Sequence, residues 1–140
     1  MSLVVYNTLT RKKEPFVPLH PKVVRIYTCG LTVYAPMHIV HARTYCFWDT
    51  FRRYLEYKGY HVLSVINYTD IDDRIMAAAG EDPLGRGCVD VAERFASTFR
   101  RDTAALHIKD YAAYTRATDF VEEQIQIIAG LIKAQMNKSA

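Results

Sequence analysis

The sequence predicts an α/β fold, with a parallel sheet followed by a helical region. Three observations carry that expectation. Val23-Val24-Arg25-Ile26-Tyr27 is an apolar run that reads as a buried strand. A helical pattern follows over residues 42–58, and residues 62–66 read as a second strand. Strand, helix and strand in that order imply a right-handed crossover and hence parallel pairing.

The elements are read in chain order. Val4, Val5 and Tyr6 suggest a short first strand, and residues 11–14 read as a charged turn. Pro15, Pro18 and Pro21 mark an extended connection, because proline lacks a backbone donor and disfavours helix in the residue before it. Residues 23–28 are then expected to be the central strand. In the helix after it, Tyr45, Trp48, Phe51 and Leu55 recur at three- and four-residue steps and make one apolar face. The other face carries Asp49, Arg52, Arg53 and Glu56, with ion-pair spacing at i,i+4, and reads as a solvated surface. Gly59 suits the helix stop. After the second strand, Thr69 or Asp70 is placed to cap a further helix, with carboxylates in its first turn complementing the dipole.

Gly80, Pro83, Gly85 and Gly87 read as a linker. Beyond it, Ala92, Phe95, Phe99 and Leu106 mark an amphipathic helix, with Arg94, Arg100 and Arg101 on its outer face. Asp119 and Glu122 have capping-box spacing and announce a last helix. Its buried stripe would be Val121, Ile125, Ile128 and Ile132. The chain thus divides into a strand-rich 1–80 and a helical 81–140.

The chemistry gathers where the strand over residues 23–28 gives way to its helix. Helix N-termini favour anions, and open α/β sheets hold ligands at the carboxyl ends of their strands. Cys29 leaves the strand at that end, and His38 and His41 sit three residues apart, on one face of the helix start. A lone cysteine is more often a small buried hydrophobe, and a lone histidine there is usually a cap. The combination after a strand favours a site. Residues 67–73 leave the second strand beside the same crevice. Asp70, Asp72 and Asp73 lack the ligand spacing of an EF-hand loop, so helix capping is the better account of them.

Several stretches make this reading specific. They are Tyr6-Asn7-Thr8-Leu9-Thr10, Cys29-Gly30-Leu31-Thr32-Val33-Tyr34, His38-Ile39-Val40-His41-Ala42-Arg43-Thr44, Arg53-Tyr54-Leu55-Glu56-Tyr57, Gly59-Tyr60 and Asn67-Tyr68-Thr69-Asp70-Ile71-Asp72-Asp73. In this order and spacing they resemble the class I aminoacyl-tRNA synthetases, and within them the cysteinyl-tRNA synthetases. The likeness runs from residue 4 to about residue 133.

The resemblance implies the first half of a Rossmann-like parallel sheet. On that reading 1–80 begin the nucleotide-binding catalytic domain, and 81–140 lead into the connective peptide. It also implies ATP-dependent activation of cysteine and transfer to its tRNA, with ATP entering as its Mg2+ complex. His38 and His41 would be catalytic, donating to phosphate oxygens, and Thr32 would join them in holding ATP. Cys29, Gly30 and Thr69 would bind cysteine. Cys29 would also be one ligand of a Zn2+ that prefers the soft substrate sulfur to a hydroxyl.

Two positions depart from the family pattern. Val40 stands where the His-x-Gly-His motif has glycine, and Ala35 where a polar residue is common. A β-branched side chain on the adenine platform should cost ~1–3 kcal/mol, or roughly ten- to a hundredfold in ATP affinity. The resemblance also implies a second sheet half, a Lys-Met-Ser-Lys-Ser loop, further zinc ligands and anticodon-binding helices, which these 140 residues do not contain. The expectation is an amino-terminal part, inactive alone, whose unpaired sheet edge pairs with itself or with the missing half. Two alternatives stay open: a non-catalytic paralogue serving as a binding module, and a related ligase passing cysteine to a sugar amine.

Composition bounds the rest. The chain is 50% hydrophobic and 24% charged, which is ordinary for one soluble domain, and no apolar run approaches a membrane span. A net charge of +3 is compatible with nucleic acid. Cys29, Cys46 and Cys88 make an odd count without a Cys-x-x-Cys pair, pointing to a reducing cytoplasm. Cys46 and Cys88 fall in helical patterns and read as packing residues. No secretory leader is expected ahead of the first motif.

Overall fold

The first two strands close on each other and not on the main sheet. In the computed structural model, which describes residues 3–80 and 87–136, β1 (Val4–Asn7) pairs antiparallel with β2 (Lys12–Pro15). The turn between them is 8–11, so the charged turn expected over 11–14 is displaced. Asn7 decides this: its Oδ1 accepts the Leu9 N–H at 3.0 Å, and its Nδ2 donates to Glu14 Oε2 at 3.1 Å. Such a side-chain turn closes the chain earlier than charge alone suggests. Arg11 completes it with φ 58°.

The main sheet has the order β3 (Val23–Thr28), β4 (His61–Tyr68), β5 (Ala113–Arg116), and both pairings are parallel. Val24 lies opposite Val62, and Ile66 opposite Tyr114. The parallel pairing agrees with expectation, but β4, not β3, is the middle strand among the described residues. The region read as helical also supplies β5, a strand with no apolar run of its own. Val24, Ile26, Thr28, Val62, Ser64, Ile66 and Tyr68 turn inward, while Arg25, Tyr27 and Leu63 stay exposed. One sheet face is therefore packed and the other open, unlike the two-sided burial usual for parallel sheets.

Helix α1 (Ile39–Tyr57) crosses between β3 and β4. It starts three residues before the helical pattern, because the extended His38 (φ −103°, ψ 174°) occupies the capping position. Gly59, at φ 84°, stops it. Leu55 is fully buried with Val24, Ile26 and Val62, and Trp48 and Phe51 pack against that cluster. Tyr45 packs edge-on to Phe99 at 5.0 Å in a second cluster, with Leu31, Val33, Ile66, Tyr68 and Ile75.

The charged face of α1 is not merely solvated. Arg53 pairs with Asp49 at 2.6 Å and Arg52 with Glu56 at 3.1 Å, as the spacing suggested. The same groups also dock the chain before β5. Arg52 donates to Asp110 O and Arg53 to His107 O, each at 2.7 Å; the Lys109 N–H donates to Asp49 Oδ1 at 2.9 Å, and Lys109 Nζ pairs with Glu56. Burial works against the Glu56 charge, but hydrogen bonds from Lys109 and Arg52 outweigh it and hold the carboxyl below its usual range.

Helix α2 (Asp73–Gly80) is capped by Asp72, not by Thr69 or Asp70: Asp72 Oδ1 accepts the Arg74 N–H at 2.9 Å. Asp70 instead accepts from Thr118, at 3.1 Å from its N–H and 2.5 Å from its hydroxyl. Pro83 and Gly85 of the expected linker lie outside the described residues. In α3 (Cys88–Ala105), Val91, Ala92, Ala96, Phe99 and Thr103 are buried. Leu106 lies past the helix end and is exposed, so it leaves the expected apolar face. Cys46 and Cys88 are partly buried against the core, as packing residues should be.

A 3-10 turn (Thr118–Phe120) leads into α4 (Val121–Met136). Asp119 sits inside that turn, whose capping position is Ala117, and not directly before α4. The stripe of Val121, Ile125, Ile128 and Ile132 is exposed, not buried. No helix among the described residues is long and apolar enough to cross a membrane.

Candidate functional site

Two loops leave the carboxyl ends of β3 and β4 and run side by side. Thr69 N–H donates to Leu31 O at 3.1 Å, and Val33 N–H donates to Thr69 O at 3.2 Å, bridging Thr32 to Thr69. Leu31 and Val33 are buried, which turns Thr32 the other way. Gly30 N–H donates to Asn67 Oδ1 at 2.8 Å. A Cβ on Gly30 would stand 1.4 Å from Asn67 O, so only glycine permits this approach.

The structure thus sets Gly30 and Thr32 of the first loop beside Asn67 and Thr69 of the second. Cys29 opens the first loop as an exposed free thiol. Its sulfur lies 3.8 Å from Gly30 O. Among the described residues, no three His, Cys, Asp or Glu side chains gather into a metal-holding group. A structural zinc needs four ligands and a catalytic one three. The residues described therefore do not fit a zinc site, and Cys29 stands as at most one ligand.

His38 and His41 stack at the α1 start, with ring centroids 3.8 Å apart and planes inclined by 28°. His41 Nδ1 faces the His38 N–H at 3.4 Å, a long contact that returns the cap to the helix start. In a neutral ring an accepting Nδ1 leaves the proton on Nε2, so His41 can donate outward. Burial lowers the His41 pKa, and the neighbouring His38 lowers it further. A base depressed in this way binds its proton more readily in the unfolded chain. Stability is therefore lost as pH falls below the ordinary imidazole value of 6.5 and through the folded pKa. In an NMR titration we expect the His41 midpoint to lie below 6.5. A midpoint at or above that value would contradict the stacked arrangement.

The sequence places residues 67–73 beside the crevice and Asp72 among the capping carboxylates, but assigns no role to Arg74. Arg74 Nε donates to Asp72 Oδ1 at 2.9 Å, its guanidinium lies 5.0 Å over the Tyr34 ring, and it reaches Thr32 Oγ1 at 3.4 Å. Arg74 thereby ties the second loop to the first. The only signal for it was a cation just after three carboxylates, which capping explained as well.

Comparison with known proteins adds family information. The family model described as tRNA synthetases class I (C) catalytic domain matches residues 15–139. The chain is 48% identical over 132 residues to a cysteine–tRNA ligase of Thermosynechococcus vestitus, covering 94% of this chain and 27% of that protein. It is 49% identical over 131 residues to one of Limosilactobacillus reuteri, with the same coverage. It is 48% identical over 134 residues to one of Pyrococcus horikoshii, again covering 94% and 27%. The chain therefore spans about a quarter of the length of these curated relatives.

Proposed function

Because the chain belongs to the class I tRNA synthetase family, among the cysteine–tRNA ligases, we propose that it forms the amino-terminal part of an enzyme that activates cysteine with ATP and passes it to cysteine tRNA. The observation that carries this is the paired loop: Gly30 locked on Asn67, with Thr32 and Thr69 bridged beside it. Residues 1–80 begin the nucleotide-binding domain. Residues 81–140 lead into the connective peptide, after β5 has returned to the sheet. We place the enzyme in the cytoplasm.

In the first step a carboxylate oxygen of cysteine attacks the α-phosphorus of ATP. One O–P bond forms, and the bond to the leaving pyrophosphate breaks. Protein groups have little covalent work here, so positioning and charge stabilisation dominate. His38 and His41 donate to the phosphate oxygens as charge builds, His41 through Nε2. Thr32 holds the nucleotide beside them. Cys29, Gly30 and Thr69 shape the cysteine side of the crevice, with Gly30 letting backbone approach closely. Magnesium arrives with ATP as part of the substrate.

We expect the 140-residue chain alone to show no cysteine-dependent ATP–pyrophosphate exchange. Exchange should appear when a separately expressed polypeptide supplies the rest of the relatives' length. Robust exchange from the pure chain would overturn the incompleteness. Silence in the presence of the added part would favour the non-catalytic module.

A further inference from the structure

The second crevice loop is held from two sides. On one side Thr69 uses its own backbone: its N–H donates to Leu31 O, and its carbonyl accepts the Val33 N–H. On the other side the segment after β5 runs alongside it. Ala117 N–H donates to Tyr68 O at 3.1 Å, so the β4–β5 pairing continues past the strand ends. Thr118 then donates to both carboxylate oxygens of Asp70, from its N–H to Oδ1 at 3.1 Å and from its hydroxyl to Oδ2 at 2.5 Å.

Asp70 makes no other hydrogen bond among the described residues. Asp72 caps α2, so the Asp70 carboxylate is not needed at that helix start. Arg116 lies close by but pairs with Glu93; that pairing raises the Arg116 pKa, and the Asp70 charge adds to it, against burial. Hydrogen bonds to a carboxylate are roughly twice as strong as neutral ones, and two from one residue fix direction as well as distance. Thr118 in turn opens the 3-10 turn that runs into α4. The latch thus joins the residue next to Thr69 to the segment leading into the last helix.

On the strength of the enzymatic reading above, we propose that Asp70 is a positioning residue for cysteine. It acts through Thr69 and not on the substrate. Held by Thr118, it keeps Thr69 in place on the cysteine side of the crevice. The first loop, which carries Thr32, is fixed separately by Gly30 on Asn67 and by buried Leu31 and Val33. Loss of the latch therefore falls on cysteine and spares ATP.

Two measurements test it. Amide hydrogen exchange on the 140-residue chain reads the loop with no substrate present. Asp70→Ala should speed exchange at the Thr69 and Val33 N–H by roughly tenfold, while amides in the β3–β4 pairing keep their rates. An equal change at both places would make Asp70 a general stabilising group and overturn the proposal. The second measurement is cysteine-dependent ATP–pyrophosphate exchange in a polypeptide that carries the remainder of the relatives' length. Asp70→Ala and Thr118→Val should each raise the cysteine KM by roughly tenfold and leave the ATP KM unchanged. Thr118→Ser keeps both donors and should leave the cysteine KM unchanged. The double variant should be no worse than Asp70→Ala alone, because one interaction is lost once. Additive effects would separate the two residues and overturn the latch. A cysteine KM indifferent to Asp70→Ala, or equal rises for both substrates, would overturn this role and leave the enzymatic reading intact. No exchange from the unsubstituted polypeptide would instead overturn the enzymatic reading, and this role with it.

Discussion

Gly30→Ala should destabilise the chain by about 3 kcal/mol or more and dismantle the crevice. The added Cβ would stand 1.4 Å from Asn67 O, 2.6 Å from Asn67 C and 3.2 Å from Ile66 Cγ1. Two of these atoms belong to the β4 backbone, which no rotamer change can move. Relief requires the first loop to lift off the second. That movement breaks the 2.8 Å bond from Gly30 N–H to Asn67 Oδ1 and strains the Leu31–Thr69–Val33 ladder beyond it. Leu31 and Val33 are buried on that ladder, so the loss extends into the core. Domains of this size have only about 5–15 kcal/mol in total, so the fall in urea midpoint should be plain. Gly80→Ala is the control. Nothing lies within 4 Å of its added Cβ, and its φ is not positive, so it should be neutral or stabilising by up to about 1 kcal/mol. Equal midpoints for the two variants would mean the loops are not locked as described.

This position also shows which parts of the molecule the sequence made legible. Gly30 is visible as a glycine after a strand, and its ligand role comes only from the family resemblance. Its collision partner lies 37 residues away in Asn67, and no local pattern announces such a contact. The β3–α1–β4 unit was legible because hydrophobic period and helix stop agree there, down to Gly59. Strand β5 was not, because Ala113-Tyr114-Thr115-Arg116 has no apolar alternation; its pairing with β4 places it. The α1 charged face was read as solvent-facing from spacing alone. Its pairs are real, yet the same arginines reach the carbonyls of His107 and Asp110. In α4 the periodicity was read correctly as a stripe, but periodicity does not say what covers a stripe.

Val40→Gly should raise affinity for adenine nucleotides by roughly ten- to a hundredfold. Val40 lies in the first turn of α1, between the two stacked imidazoles in sequence, and 62% of it is exposed. Its side chain thus projects from the helix start and fills no place in the core. Removing it opens no cavity, and the helix-propensity cost is at most about 1 kcal/mol. Its carbonyl, which accepts the Thr44 hydroxyl at 3.1 Å, is unaffected. The substitution therefore isolates one effect, the bulk standing where the family motif has bare backbone. The gain should appear for ATP and AMP alike, because the relieved contact is to the base and not to the phosphates. Calorimetry on both variants, in a polypeptide that also carries the remainder of the relatives' length, measures it. A gain for ATP alone would move the contact from the base to the phosphates. Equal affinity for both nucleotides in both variants would mean that the base does not lie against this turn of α1.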